Sequence, residues 1–493
     1  MGKRKLNNLL NWQILLSDYK LLSPELSLAG GLLLTVIFSI LFPRGKWIAT
    51  LPIISILAAG YLNFWSLDIS GYALNNMIAS NPNIAITKFA VLLSGLSLIV
   101  LLLLFIRRSD DRFGFFLIIF TSLIFGVNAV AASSDLISVF VSLELVSFSI
   151  YIALNFSTQK VEDRQFSVRF TLIGLLSSVF MLLGFALIFG LANTTIVTEA
   201  LVSMPLNHPL TYASVCLVSL GLIAKLGMIP FFAYQQDAIG ASNSMIGIAL
   251  TSLFLPSVVL SFFKFAPGFF VLAGDYFMWG IFGVSGLTVI SAGALLFFQR
   301  SIRRVFSLIS TLIFFIILVI FMTGITDIST PSYMLILITS FGLSAIWIAF
   351  GVIERILPDL KLRDINGLIK TSPFFAVILT ILLLAQSFMP LFISNYFALY
   401  RSLTVLYYAY PPTYLALTAV ISMVIVLGYS VYFIYKMFFM KPEGESEITV
   451  PRFSYAYLTF ASVVMLGIYI FGYLDIFSKV DFFYYAVKLL STF

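Results

Sequence analysis

The sequence predicts an all-α integral membrane protein of about fourteen transmembrane helices, and three observations carry that prediction. First, the 493 residues are 61% hydrophobic and only 10% charged, against roughly 25% charged in a soluble domain. Mean hydropathy is +1.07. A soluble fold this apolar could not cover its surface with polar groups, so the bilayer must be the solvent for most of it. Second, apolar runs of about 20 residues recur along the chain, the length needed to cross a hydrocarbon core about 30 Å thick. They are continuous rather than alternating, which excludes a β-barrel. Third, the basic residues between the runs alternate from loop to loop.

The chain opens on Met1-Gly2-Lys3-Arg4-Lys5, in the manner of a signal n-region. The stretch Leu6 to Leu22, however, contains Asn7, Asn8, Asn11, Gln13, Asp18 and Lys20 and is too polar for a signal core. Residues 1–24 are therefore expected to be an interfacial tail holding an amphipathic helix. Spans 1 to 3 are expected at 25–43, 47–66 and 86–106, together residues 25–106. Spans 4 to 8 follow at 113–132, 135–156, 169–192, 211–230 and 243–264, within 107–264. Spans 9 to 13 fall at 277–298, 305–323, 331–352, 373–400 and 412–437, within 277–437. Span 14, at 454–474, opens the last segment, 454–493.

Loops take the number of the span they follow. The odd loops hold eighteen basic residues, among them Arg107, Arg300, Arg355 and Lys361; the even loops hold only Lys88, Lys264 and Arg401. The positive-inside rule then makes the odd loops cytoplasmic and both termini extracytoplasmic, in the plasma membrane of a prokaryote. The basic N-terminal tail points the other way, and the many internal loops outvote it. The net charge of +7 thus lies in membrane loops and calls for no nucleic acid.

The lone Cys216 excludes an internal disulfide and a cysteine metal site, and the lone His208 reads as a loop residue. Haem and iron–sulfur ligation are nearly closed by that count. No Gly-rich phosphate loop follows a strand. If the chain serves a redox machine, the electrons pass elsewhere, and no cofactor is expected on it.

Two spans are interrupted. Span 7 carries Lys225 five places before Pro230, and span 12 carries Gln386 four places before Pro390. A proline inside a helix removes a backbone hydrogen bond and breaks or kinks it. Paired interrupted spans in two halves point to inverted repeats around an ion pathway. The prolines lie 160 residues apart, which fits two inverted five-helix repeats, spans 4–8 and 9–13. The alternative is two unrelated packing kinks.

Glu144 sits near the middle of span 5 and Lys225 inside span 7. An ionisable residue at a helix centre costs about 2.5–3.5 kcal/mol on insertion scales, and such residues are functional by default. Ser142 and Ser147 are placed to hydrate or orient Glu144. A Glu–Lys pair in apolar surroundings is a proton site that a nearby charge can flip; a static buried pair that only fixes packing is the alternative. Lys264, at the end of span 8, is expected to snorkel to the interface. Asp237, just after the break, is expected to cap a helix or to meet a partner subunit.

These residues carry a resemblance that covers nearly the whole chain. Leu22-Ser23-Pro24-Glu25-Leu26, the stretch from Ser134-Asp135 through Glu144-Leu145, and Gln299 through Ser310 are similar in order and spacing to the antiporter-like subunits of complex I, Mrp-type cation/proton antiporters and membrane-bound hydrogenases. Within that family the chain resembles subunit N of complex I, chain 2 in mitochondria. Lys225 through Asp237 resembles the family segment in which a lysine, a proline, a phenylalanine, a histidine, a tryptophan and an aspartate follow in order. The resemblance implies a non-redox, proton-translocating membrane-arm subunit of a complex I-like quinone oxidoreductase. Glu144 would be its inter-subunit switch and Lys225 the proton store. Its partners would be other membrane-arm subunits, the antiporter-like M and the small K and J types. Quinone, flavin and iron–sulfur clusters would sit in partner subunits.

Departures accompany the likeness. The family's histidine falls on Phe232 and its tryptophan on Tyr234. The usual span-8 lysine falls near Ser252 and the usual span-12 lysine or glutamate on Asn395. Serine and asparagine hold water but store no proton near neutral pH. Either Lys264 and Arg401 stand in, or the hydrophilic axis is cut. The resemblance therefore leaves open an Mrp-type antiporter, a membrane-bound hydrogenase subunit, and a non-pumping structural subunit of the arm.

Overall fold

The structure is a computed structural model, and it describes residues 2–42, 45–67, 69–105, 112–157, 161–323, 329–357, 360–393, 412–441 and 451–473. The chain divides into two units, Met1–Met278 and Trp279–Phe493.

The first unit begins with α1 (Gly2–Leu41), which takes the expected tail and the first span into one helix running through Pro24. Next come α2 (Thr50–Trp65), a hairpin of β1 (Gly71–Ala73) and β2 (Ile78–Ser80), and α3 (Pro82–Phe105). Then follow α4 (Phe113–Ala132), α5 (Leu136–Ser157), α6 (Val161–Ala192), the short α7 (Val197–Ser203) and α8 (Pro209–Leu226). The unit continues with α9 (Phe232–Gly240), α10 (Ser244–Ile248), a π-helical turn (Ala249–Phe254) and the first part of α11 (Leu255–Phe298). Eleven stretches among the described residues are long and apolar enough to cross a membrane, and two shorter apolar helices accompany them.

Where chain leaves the helices near the bilayer, its N–H and C=O groups still need partners. The 133–136 crossover shows how. Ser134 N–H donates to Met77 O at 2.9 Å, Leu136 N–H to Thr195 O at 2.8 Å and Val197 N–H to Ser134 O at 3.1 Å. The hairpin and the 195–197 segment thus clamp the α4–α5 connection into a three-part seam. The inner core is apolar, with Leu117, Phe120, Val139, Val146, Ile188 and Leu222 all buried. Large apolar side chains such as Leu33, Ile54, Ile137, Leu172 and Val179 stay exposed, as lipid-facing positions should when the solvent is hydrocarbon.

α11 is interrupted at Gly274, where φ is 52°. That left-handed backbone suits glycine alone, and it divides the run where the sequence separates spans 8 and 9.

The second unit holds the rest of α11, α12 (Ile302–Thr323), α13 (Ser329–Glu354), α14 (Leu368–Thr371), α15 (Pro373–Ile393), α16 (Pro412–Phe439) and α17 (Arg452–Tyr473). Phe306, Trp347, Phe350 and Phe433 make an aromatic knot, with Phe306 and Phe350 centroids 4.6 Å apart. Edge-on pairs of this kind contribute about 0.5–1.5 kcal/mol beyond area burial. Arg303 at the start of α12 pairs with Glu354 at the end of α13, 2.7 Å apart. The backbone of α15 stays helical through Pro390 to Ile393, so no break falls at that proline. Asn395 and Arg401 lie outside the described residues.

Candidate functional site: a buried carboxylate–lysine pair at a broken helix

α8 starts with Pro209 in its first turn and His208 as N-cap, whose Nδ1 accepts Leu210 N–H at 3.3 Å. The single histidine is a helix cap. The helix stops inside its span at Leu226. Gly227, at φ 67°, closes it: Gly227 N–H donates to Ala224 O at 3.0 Å and Met228 N–H to Ile223 O at 3.2 Å. This is the glycine-terminated ending that satisfies last-turn carbonyls. A Cβ at position 227 would lie 1.9 Å from Gln235 Oε1, so glycine is needed for space as well as for φ. Beyond Pro230, the chain resumes as α9, and Tyr234 Oη donates to Ala224 O at 2.5 Å. The residue standing at the family's tryptophan position thus satisfies a carbonyl freed by the break.

Lys225 occupies the last turn of α8, where helix carbonyls favour a cation. Its side chain is fully buried, and Nζ lies 3.1 Å from Glu144 Oε1. Nζ also donates to Ser147 Oγ at 2.8 Å and to Ser178 Oγ at 3.0 Å. An ammonium has three hydrogens, and here each finds an acceptor. Ser178, from α6, in turn donates to Glu144 Oε1 at 2.5 Å. Three helices, α5, α6 and α8, therefore meet at one charge-assisted network. Tyr151, one turn beyond Ser147 on α5, packs over Gly174, where a Cβ would come within 2.0 Å of its hydroxyl. Glu144 is 13% exposed and borders an exposed apolar stripe of Ile137, Val141, Phe148 and Ile152 on α5.

The pairing of Glu144 with Lys225 answers the sequence expectation, and Ser147 joins it by accepting a hydrogen bond from the lysine. Ser142 does not. Its hydroxyl bonds the α5 backbone, at Ser138 O (2.6 Å) and Val139 O (3.1 Å); two residues from Glu144 on a helix is the far face. Ser178 was not singled out in the sequence; a serine in an apolar run gives no sign of where its helix face points. Gln235 is another such residue: it is buried beside the break, and neither of its side-chain amide atoms has a hydrogen-bond partner among the described residues.

Asp237 lies in the second half of α9, whose N-cap is Phe231, so it does not cap that helix's start. Ser252 is buried in the π-helical turn, with no hydrogen-bond partner for its hydroxyl among the described residues. Such turns reset the facing of a helix and are frequent at functional positions. Two even-loop basic residues are not loop residues at all. Lys88 lies in α3, 1% exposed, with Nζ 2.5 Å from Glu25 Oε1. Lys264 does not snorkel: it is half-buried, and Nζ bonds Val130 O, Ala131 O and Ser133 O, and Ser133 Oγ at 2.8 Å. Carbonyls at the end of α4 lack intrahelical donors and draw the ammonium inward.

In the second unit, Gln386 lies on α15. It is buried, its amide atoms have no hydrogen-bond partner among the described residues, and a Cβ at Gly342 would sit 2.3 Å from its Oε1. Beside it, Ser387 donates to Ser430 at 2.5 Å.

Comparison with known proteins gives consistent matches. Residues 133–426 match the family model described as NADH:quinone oxidoreductase/Mrp antiporter, TM. The chain is 22% identical over 463 residues to NADH-quinone oxidoreductase subunit N of Anaplasma phagocytophilum, covering 91% of this chain and 97% of that one. It is 24% identical over 478 residues to F(420)H(2) dehydrogenase subunit N of Methanosarcina mazei, covering 91% and 95%. Among solved structures, it resembles a chain of the Mrp complex from Dietzia sp., with TM-score 0.77 and 18% identity over 93% of this chain and 95% of that chain. It also resembles a chain of respiratory complex I from Thermus thermophilus, with TM-score 0.74 and 17% identity over 92% and 97%.

Proposed function

The chain belongs to the NADH:quinone oxidoreductase/Mrp antiporter transmembrane family, and on that premise we propose that it is the N-type, proton-translocating subunit in the membrane arm of a complex I-like quinone oxidoreductase. The carrying observation is the Glu144–Lys225 pair, 3.1 Å apart at a broken helix. A proton moving from Nζ to Oε1 breaks an N–H bond, forms an O–H bond and leaves both groups neutral. Ser178 hydrogen-bonds both ends and keeps them in register. A charge arriving at the apolar edge beside Glu144 would bias that exchange, because charges act strongly in low dielectric. The stripe of Ile137, Val141, Phe148 and Ile152 is then the seat for a neighbouring membrane-arm subunit, of the antiporter-like M or small K and J type.

In this reading the chain carries no electrons and binds no cofactor; quinone, flavin and iron–sulfur clusters belong to partner subunits. The fold has fourteen spans, with spans 4–8 and 9–13 as inverted repeats and both termini extracytoplasmic. Lys264, Asp237, Ser252 and Asn395 are the secondary positions on the proton path. Names of relatives such as subunit N support the complex I assignment, and the likeness to an Mrp chain keeps an antiporter complex as its neighbour reading. A second reading, a non-pumping scaffold, is favoured by one observation: a partnerless serine, Ser252, stands near where the family's lysine is expected. Replacing Glu144 by glutamine tests the proposal. An assembled complex that transfers electrons but moves fewer protons supports it; normal proton movement makes the chain a scaffold.

A further inference from the structure

Away from the Glu144 site, the first unit contains a second group of ionisable residues, of which the proposed path uses only Lys264. Glu25 on α1 and Lys88 on α3 form an ion pair with Oε1 and Nζ 2.5 Å apart, and their side chains are 9% and 1% exposed. Apart from Lys88, the Glu25 carboxylate oxygens have no hydrogen-bond partner among the described residues. Asp135, 1% exposed, opens α5: its Oδ1 accepts Ser138 N–H at 2.9 Å, while Oδ2 is buried without a partner. Lys264 reaches the same end of the unit through Ser133 and the last carbonyls of α4. Lys264 and Asp135 thus share one connection, since Ser133, which Lys264 bonds, lies two residues before Asp135.

Their depth is informative. Lys88 lies six residues beyond Pro82, the start of α3, about 9 Å along the helix at the helical rise, and Glu25 of α1 meets it at that level. Asp135 marks the end itself, under the seam of the 71–80 and 133–136 segments. The group therefore runs from the bundle end inward.

We infer that Glu25 and Lys88, with Lys264 and Asp135, form a second proton-exchanging site in the first unit, at the end that carries the 71–80 and 133–136 connections. The two lysines and two carboxylates sum to zero charge when all four are ionised, and again when Lys88 has passed its proton to Glu25. The oxygens of Val130, Ala131 and Ser133 hold Lys264 Nζ at the end of α4. Proton transfer from Lys88 Nζ to Glu25 Oε1 breaks one N–H bond and forms one O–H bond, and the neutral pair can then take up or release a proton toward the nearby end. Because Glu25 is held by Lys88 alone, no other donor pins its charge state. This inference rests on the proton-translocating reading above and adds a site on α1 and α3 to it.

A static clasp would show the same pair, so the test must separate the two. In the assembled complex, Lys88→Met alone leaves Glu25 as an uncompensated buried charge and should impair assembly. The double variant Glu25→Leu, Lys88→Met removes both charges at similar volume and should restore assembly and electron transfer. Proton uptake per electron pair, read by acridine-dye quenching in inverted vesicles, should nevertheless show a loss. Glu25→Gln, which keeps the shape and a hydrogen bond to Lys88, should show the same loss. Wild-type proton uptake in an assembled double variant or in Glu25→Gln overturns the inference, as does failure of both to assemble. Glu144→Gln is the reference arm. If it loses uptake while the double variant does not, only this inference falls; if it keeps wild-type uptake, the Glu144 reading falls by itself.

Discussion

The hydroxyl of Ser178 donates to Glu144 Oε1 across 2.5 Å, from a helix that the sequence marks only as apolar. The same oxygen accepts from Lys225 at 3.0 Å, so one small side chain ties both members of the pair. Hydrogen bonds to charged groups contribute about 1.5–3 kcal/mol. Ser178→Ala should leave the complex assembled and lower proton movement per electron pair, less severely than Glu144→Gln. Vesicle proton uptake normalised to electron transfer measures it; unchanged uptake would remove Ser178 from the mechanism.

Glu144→Gln and Lys225→Ala should differ in stability though both impair pumping. Glutamine keeps acceptor and donor atoms in place. Alanine at 225 leaves Glu144 without its cation, and breaking a buried pair by removing one partner costs about 3–5 kcal/mol. Thermal stability of the solubilised complex should therefore fall for both and fall less for Glu144→Gln, whose amide oxygen still accepts from Lys225.

Gly227→Ala should destabilise the break itself. The new Cβ would lie 1.9 Å from Gln235 Oε1, and φ is 67°. Strained left-handed backbone costs of the order of 1–3 kcal/mol. Adding Gln235→Ala should recover the part due to the clash and not the part due to φ, which a double-mutant comparison of melting temperatures reads directly.

Ser252→Lys restores an ionisable group in the π-helical turn of the first unit. If the proton path is interrupted there, protons moved per electron pair should rise. No change, with Glu144→Gln still damaging, would route protons past this position. The Ser252 hydroxyl is buried without a partner, so a lysine must also displace packing, and assembly should be checked on a native gel.

Topology is tested at Lys361, an exposed residue in the connection after α13. With Cys216 replaced by serine, a cysteine at that position should react with an impermeant maleimide only from the cytoplasmic side. Labelling from outside alone would reverse the orientation.

What the residues alone determined is the class and the broad plan. Hydropathy along the chain depends on composition, and a bilayer demands long apolar helices, so most spans were legible to within a few residues. Glu144 and Lys225 were legible for the same reason: a charge inside an apolar run has no inexpensive explanation. Their partners were not. Ser178 and Gln235 look like ordinary polar residues until packing brings their helix faces to the pair, and Ser142 looked useful only because sequence nearness hides the far side of a helix. From the sequence Lys88 counts as a basic loop residue and Lys264 as a snorkelling one, because both lie near span ends. Tertiary structure decided otherwise, since Glu25 from α1 and the carbonyls ending α4 supply partners that make burial affordable. The proline rule held where Gly227 supplied a left-handed ending and α9 supplied Tyr234, and it did not break α15 at Pro390. A helix breaks where other elements satisfy its freed groups, and that supply exists only once the chain has folded.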